Sequence, residues 1–193
     1  MSDPSELQAQ PDSFVVAIPT SWPSDAIELI VESYQHSWVK PLKVDEIETE
    51  FEWAAHLGFE DGSEAAVYID ESLPELVELS GRSYEPYAAS ELALLEDHEN
   101  IWRVVMPAGD AARNTAMRMC EVMSAFVDAG AFGVFVPMSV RLHSPRTVRS
   151  LTVDPSKDDM LANCFVNAWH DGEWMRSRGL TAFGLPELET PVD

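Results

Sequence analysis

Two Asp-Gly pairs, Asp61-Gly62 and Asp171-Gly172, narrow the folds open to this chain more than any other feature. Asp-Gly between apolar stretches suits a type I′ turn, whose central residues need positive φ, and such a turn joins neighbouring antiparallel strands. Before the first pair, Phe51, Trp53, Ala55, Leu57 and Phe59 alternate with Glu52, Ala54, His56 and Gly58, and Ala65, Val67 and Ile69 return after it. Before the second pair, residues 161–169 are expected to run as a strand, with 173–178 coming back. A sheet that holds these hairpins cannot be wholly parallel.

Three nearly continuous apolar runs supply further strands: Phe14-Val-Val-Ala-Ile18 before Pro19, Ile101-Trp-Arg-Val-Val-Met106 before Pro107, and Gly133-Val-Phe-Val136 before Pro137. Lacking alternation, they suit strands covered on both faces, and proline is expected to stop each one. Helices fill the intervals. Ser24 stands where it can cap a helix bearing Ala26, Ile27, Ile30, Val31 and Tyr34 at the 3.6-residue period, and Asp110 where it can cap a long one ending at Gly130 with Ala112, Ala116, Met119, Met123 and Phe126 on one stripe. Ser72-Leu-Pro-Glu75 has the form of a capping box that opens a short helix. A further helix is expected over residues 84–97, with Tyr84, Ala88, Leu92 and Leu95 inward, and residues 138–159 read as a long connection. The parts define an α+β fold: a mixed, largely antiparallel sheet with helices packed on it, in two loosely similar strand-helix-hairpin halves. Residues 1–11 are expected to be disordered and 12–193 to form a single globular domain, a length that sustains one core.

The charge is lopsided. Net charge is −22, and residues 1–100 hold 23 acids and 3 bases against 11 acids and 9 bases in residues 101–193. Such a potential repels nucleic acid and anionic membrane and attracts cationic partners, although acidic surfaces also serve solubility alone. No apolar run approaches membrane-spanning length. The opening residues are acidic where a secretory signal is basic and then apolar, which sets the expectation of a cytoplasmic protein. Cys120 and Cys164, in what read as a helix interior and a strand, are expected to be buried and reduced.

Arg141, His143, Arg146 and Arg149 form a cationic island in a stretch free of acids from Ala129 to Val153. Guanidinium forks suit carboxylate or phosphate, so the island is a candidate anion or ligand site; the alternative is that its arginines pair with the acidic front half. The histidines at 36, 56, 98, 143 and 170 lack metal-ligand spacing, and the acid run Asp45 to Glu52 lacks the turn glycine of a calcium loop and reads as an edge strand or loop. Nucleophile elbows, phosphate loops and dinucleotide turns are absent, so no cofactor, metal or catalytic residue is assigned.

The stretches "GAFGVFVPMS" (residues 130–139) and "RGLTAFGLPELE" (178–189) together resemble the bacterial family known as domain of unknown function 4261. The resemblance implies an intracellular bacterial protein and carries no catalytic residue with it. Physically, Gly179 and Gly184 stand where the chain turns sharply, letting Leu180, Phe183, Leu185 and Leu188 lie across an open part of the core as a clamp. The alternative role for this tail is Glu187 as an acid presented in a pocket. Two functional expectations stand side by side. One is an interaction or regulatory protein, immunity- or inhibitor-like, whose acidic half meets a basic partner; the other is an enzyme or small-molecule binder that holds an anionic ligand on the cationic island.

Overall fold

The computed structural model describes residues 13–23, 26–48, 53–83, 85–108 and 111–192. The fold is α+β, and where a mixed, largely antiparallel sheet was expected, every strand pairing among the described residues is antiparallel. Seven strands, β1 (Ser13–Thr20), β2 (Leu42–Glu48), β3 (Trp53–Phe59), β4 (Glu64–Glu71), β5 (Asn100–Pro107), β6 (Val134–Val136) and β7 (Arg141–His143), make one sheet in the order β2-β3-β4-β5-β1-β6-β7. The first expected hairpin is β3–β4, turning at Asp61-Gly62, with Ala55, Leu57, Phe59, Ala65 and Val67 buried and His56 exposed. The acid run enters β2, which is the sheet edge. Residues 1–11 lie outside the described residues, as do Ser24, Phe51, Tyr84 and Asp110.

Pro107 is the last residue of β5 and Pro137 follows the end of β6, but β1 runs through Pro19 to Thr20. The Pro19 carbonyl accepts from Phe132 N at 3.0 Å, on the side where β6 has not yet begun. The N–H that proline lacks is therefore not needed for the ladder to β5. β1 is buried throughout, as a central strand with two covered faces must be.

One face packs on α1 (Ile27–Trp38) and α4 (Ala112–Asp128). The stripe expected on α4 is inward, but burial goes further: every residue from Met119 to Val127 is buried, because α1, α5 (Pro145–Thr152) and α6 (Asp158–Phe165) surround the helix that the sheet supports. Trp22, Trp102 and Phe126 meet here with centroids 5.8 to 6.2 Å apart. The other face is covered in part by α2 (Glu75–Leu79) and α3 (Ala89–Glu96), where Leu76, Tyr87 and Leu95 pack on Ala17, Ile101 and Phe135. Burying each such large side chain is worth about 1.5–3 kcal/mol.

Several expectations are corrected. Helix α2 forms without the Ser72 capping bond, starting after Pro74. The helix expected from residue 84 begins at Ala89, and its exposed predecessor Ala88 is held instead by the Glu91 carboxylate, which accepts Ala88 N at 2.7 Å. Residues 138–159 are no plain connection: they hold β7, α5 and the approach to α6. Ser144 caps α5 by accepting Thr147 N at 3.2 Å, with Pro145 at the first helical position.

Residues 161–165, expected in a strand, belong to α6, with Leu161, Cys164 and Phe165 at helical spacing turned inward. Only β8 (Asn167–His170) and β9 (Trp174–Arg178) form the second hairpin, and β10 (Glu189–Pro191) joins them in a separate three-stranded sheet. The two halves thus part company, since the first hairpin extends the large sheet and the second leaves it.

Candidate functional site

The cationic island folds into β7 and α5, and each of its members meets a different acceptor. Arg141 donates to Asn167 Oδ1 at 2.9 Å and to Asn163 O at 3.5 Å. Arg146 meets Glu85 at 3.3 Å and Pro86 O at 3.4 Å. Arg149 donates to Asp128 Oδ1 at 3.1 Å and Val127 O at 3.2 Å, closing the C-terminal end of α4, where exposed carbonyls favour a cation.

His143 is wholly buried, and its Nε2 lies 3.0 Å from Cys164 O, so that nitrogen donates and carries the proton. Its Nδ1 has no hydrogen-bond partner among the described residues. Burial pushes its pKa down from about 6.5 to about 4; the bond to the Cys164 carbonyl opposes the shift and the Arg141 charge adds to it. A neutral imidazole in the core is a poor anion receptor. Gly133, in the first motif of the tail-and-strand resemblance, makes room here, since a Cβ on it would lie 2.3 Å from the Tyr87 hydroxyl that donates to His143 O.

Glu187 is likewise engaged by its own segment. Its carboxylate accepts from Ser177 Oγ and Gly179 N, both at 2.8 Å, and from Thr181 N at 3.3 Å. Burial works to raise its pKa, but these donors outweigh burial and leave it lowered. The clamp is half of what was expected. Ala182 is buried and Phe183 stands edge-on to Phe14 at 5.2 Å, whereas Leu185 and Leu188 are 53% and 59% exposed.

Sequence reasoning missed the ion cluster around Glu121. Helix α4 presents Arg118 and Glu121 three residues apart, α1 brings Tyr34, the second residue past its end is Lys40, and the β3–β4 turn brings Asp61. Glu121 is 4% exposed and accepts from Tyr34 at 2.7 Å, from Lys40 at 2.6 Å and from Arg118. Arg118 also donates to Asp61 at 2.7 Å and lies 5.0 Å over the Phe59 ring.

Burial, then the Glu121 bond, pushes the Tyr34 hydroxyl far above its ordinary range. The Ser63 hydroxyl and then Arg118 hold Asp61 far below the carboxylate range. Two carboxylates face two cations, so the cluster is internally balanced. One signal was readable: Glu121 is the single charge between Met119 and Val127, and a charge inside an apolar helix must be paired.

A cleft of about 390 Å3 opens where β4 begins and β5 ends, lined by His56, Ser63, Glu64, Ala66, Val105 and Thr115 among others. The cationic island and Glu187 do not line it. Among the described residues no cluster of His, Cys, Asp or Glu is arranged to hold a metal ion, and no helix is long and apolar enough to cross a membrane.

A second charged surface is the layer formed by α2 and α3. Residues 71–99 contain eight acids and one base. Glu85 is taken by Arg146 and Glu91 by the Ala88 amide, while Glu71, Glu78, Glu96, Asp97 and Glu99 are exposed, with Leu94 half-exposed among them. Comparison of the chain with protein-family models, with curated proteins and with solved structures finds no match.

Proposed function

We propose that this chain is an interaction or regulatory protein, immunity- or inhibitor-like, whose acidic N-terminal half engages a basic protein in the cytoplasm. The observation that carries the reading is the α2–α3 layer, where exposed carboxylates outnumber the cations able to neutralise them. Like charges kept unpaired on one face cost stability through mutual repulsion, and a cationic partner relieves that repulsion while being steered to the face. Leu94 among those acids adds an apolar contact of the kind an interface core uses. The alternative, an anion held by Arg141, His143, Arg146 and Arg149, has less support, because each of these side chains already has an acceptor or lies in the core. Membership of the domain of unknown function 4261 family belongs to the same proposal and rests on the two glycine-bearing motifs.

The test is capture of partners by the immobilised chain at two ionic strengths, beside a variant carrying Glu78→Lys, Glu96→Lys and Glu99→Lys. Screening length falls from about 10 Å at 0.1 M salt to about 3 Å at 1 M, so a partner held by this face elutes with salt and is lost by the variant. A partner retained in both circumstances refutes the reading.

A further inference from the structure

Cys120 in α4 and Cys164 in α6 are 44 residues apart in sequence, yet their sulfurs lie 3.7 Å apart. Both are free and fully buried. Their helices differ in standing. Helix α4 is enclosed by the sheet and by α1, α5 and α6, whereas α6 is a short outer helix that leads through Val166 into the small sheet β8–β10, most of whose residues are exposed. A bond between the sulfurs would therefore tie the peripheral C-terminal part of the fold to its best-buried helix.

We propose that Cys120 and Cys164 are a latent dithiol–disulfide couple that fastens α6 and the C-terminal sheet to α4 when a disulfide-type oxidant is present. With oxidised glutathione as that oxidant, the thiolate of one cysteine attacks the glutathione disulfide, forming a mixed disulfide and releasing one glutathione thiolate. The second cysteine then loses its proton and attacks the protein sulfur of the mixed disulfide, closing the Cys120–Cys164 bond and releasing the second glutathione. Two electrons pass from the protein to glutathione, and both thiol protons are released.

The sulfurs must close from 3.7 Å to the bonded separation of about 2.05 Å, within the reach of small side-chain and helix adjustments. The contact with Cys164, then burial, raises the Cys120 thiol well above its ordinary range, so the thiolate is scarce in the closed fold and the reaction awaits opening of α6. The reduced form is left free to open at that helix and the oxidised form is not.

The experiment incubates the full chain with oxidised glutathione, with and without urea below the unfolding transition, then denatures it and alkylates free thiols. The expected product carries no alkyl group and no glutathione, yields a cross-linked peptide pair containing Cys120 and Cys164, and melts roughly 5–10 °C higher until dithiothreitol reverses the gain. Oxidation is expected to be faster in the urea arm. Cys120→Ala and Cys164→Ala each lose the cross-link and take up a single glutathione in that arm. Two alkylatable thiols after incubation in both arms, stable glutathione adducts on both cysteines, or a cross-link with no change in melting would overturn the proposal, and each is read on the wild-type chain whether or not the variants fold.

Discussion

Gly179 lies so close to Phe165 that a Cβ on the glycine would stand 2.0 Å from the Phe165 carbonyl oxygen. Its φ of +100° is also closed to ordinary L-residues. The end of α6 and the turn after β9 are thereby pressed together backbone to backbone. Gly179→Ala is expected to lose about 3 kcal/mol or more, since neither atom in the clash belongs to a flexible side chain. Urea unfolding followed by tryptophan fluorescence measures it, and a wild-type midpoint would contradict the packing.

Phe183 and Glu187 hold the same tail by different means, and their variants should rank accordingly. Phe183 packs on Phe14 and Phe165 with centroids 5.2 and 6.4 Å away, so Phe183→Ala is expected to cost about 2 kcal/mol or more. Glu187→Ala takes the acceptor from the Ser177 hydroxyl and the Gly179 amide, both buried, and from the exposed Thr181 amide, a loss of about 1 kcal/mol. Because the Glu187 pKa is lowered in the fold, its contribution is present above the ordinary glutamate range and fades as pH falls through the folded value. Denaturant midpoints near neutral pH for the two variants give the order, and the reverse order would make the tail a polar tie rather than an aromatic one.

Much of this architecture is visible in local pattern, and the failures have local causes. The β3–β4 hairpin and α4 announce themselves through alternation, a turn pair and a long 3.6-residue stripe. Residues 161–165 read as strand because a short apolar run leading to Asp171-Gly172 looks like one long strand, although Leu161, Cys164 and Phe165 are spaced as a helix face and Asp158 and Asp159 suit a first turn. Ser144-Pro145 was an equally open signal for α5. The partners of the cationic island were not legible, since Arg146 finds Pro86 across 60 residues and Arg149 finds Asp128 across 21, distances that only the tertiary fold closes.

The Glu121 cluster predicts an asymmetry between breaking and replacing it. Glu121→Ala leaves the buried Arg118 guanidinium with Asp61 as its remaining counter-ion and takes the acceptor from the Tyr34 hydroxyl and from Lys40, and is expected to cost about 3–5 kcal/mol. The double variant Arg118→Met, Glu121→Leu removes the buried pair as a unit, leaving Lys40 and Asp61 at positions water reaches. It should recover much of that loss, short of the cost of the buried Tyr34 hydroxyl, which loses both partners. A double-mutant cycle from urea unfolding decides it: additive losses would mean the two charges act independently.

His143 ties stability to pH through its depressed pKa. Folded, it titrates at about 4, and unfolded at about 6.5, so between those values the unfolded chain binds more protons than the native one. Stability from this group is complete above pH 6.5 and drains away as pH falls to about 4, a total of about 3 kcal/mol, because protonation puts an imidazolium beside Arg141 in a place water does not reach. His143→Leu removes the titration together with the bond to Cys164 O, so it should be less stable at neutral pH and have a flatter profile between pH 6.5 and 4. The comparison is the slope of unfolding free energy against pH for the two chains, with other acidic groups common to both. Parallel slopes would place His143 in contact with water, contrary to its zero exposure.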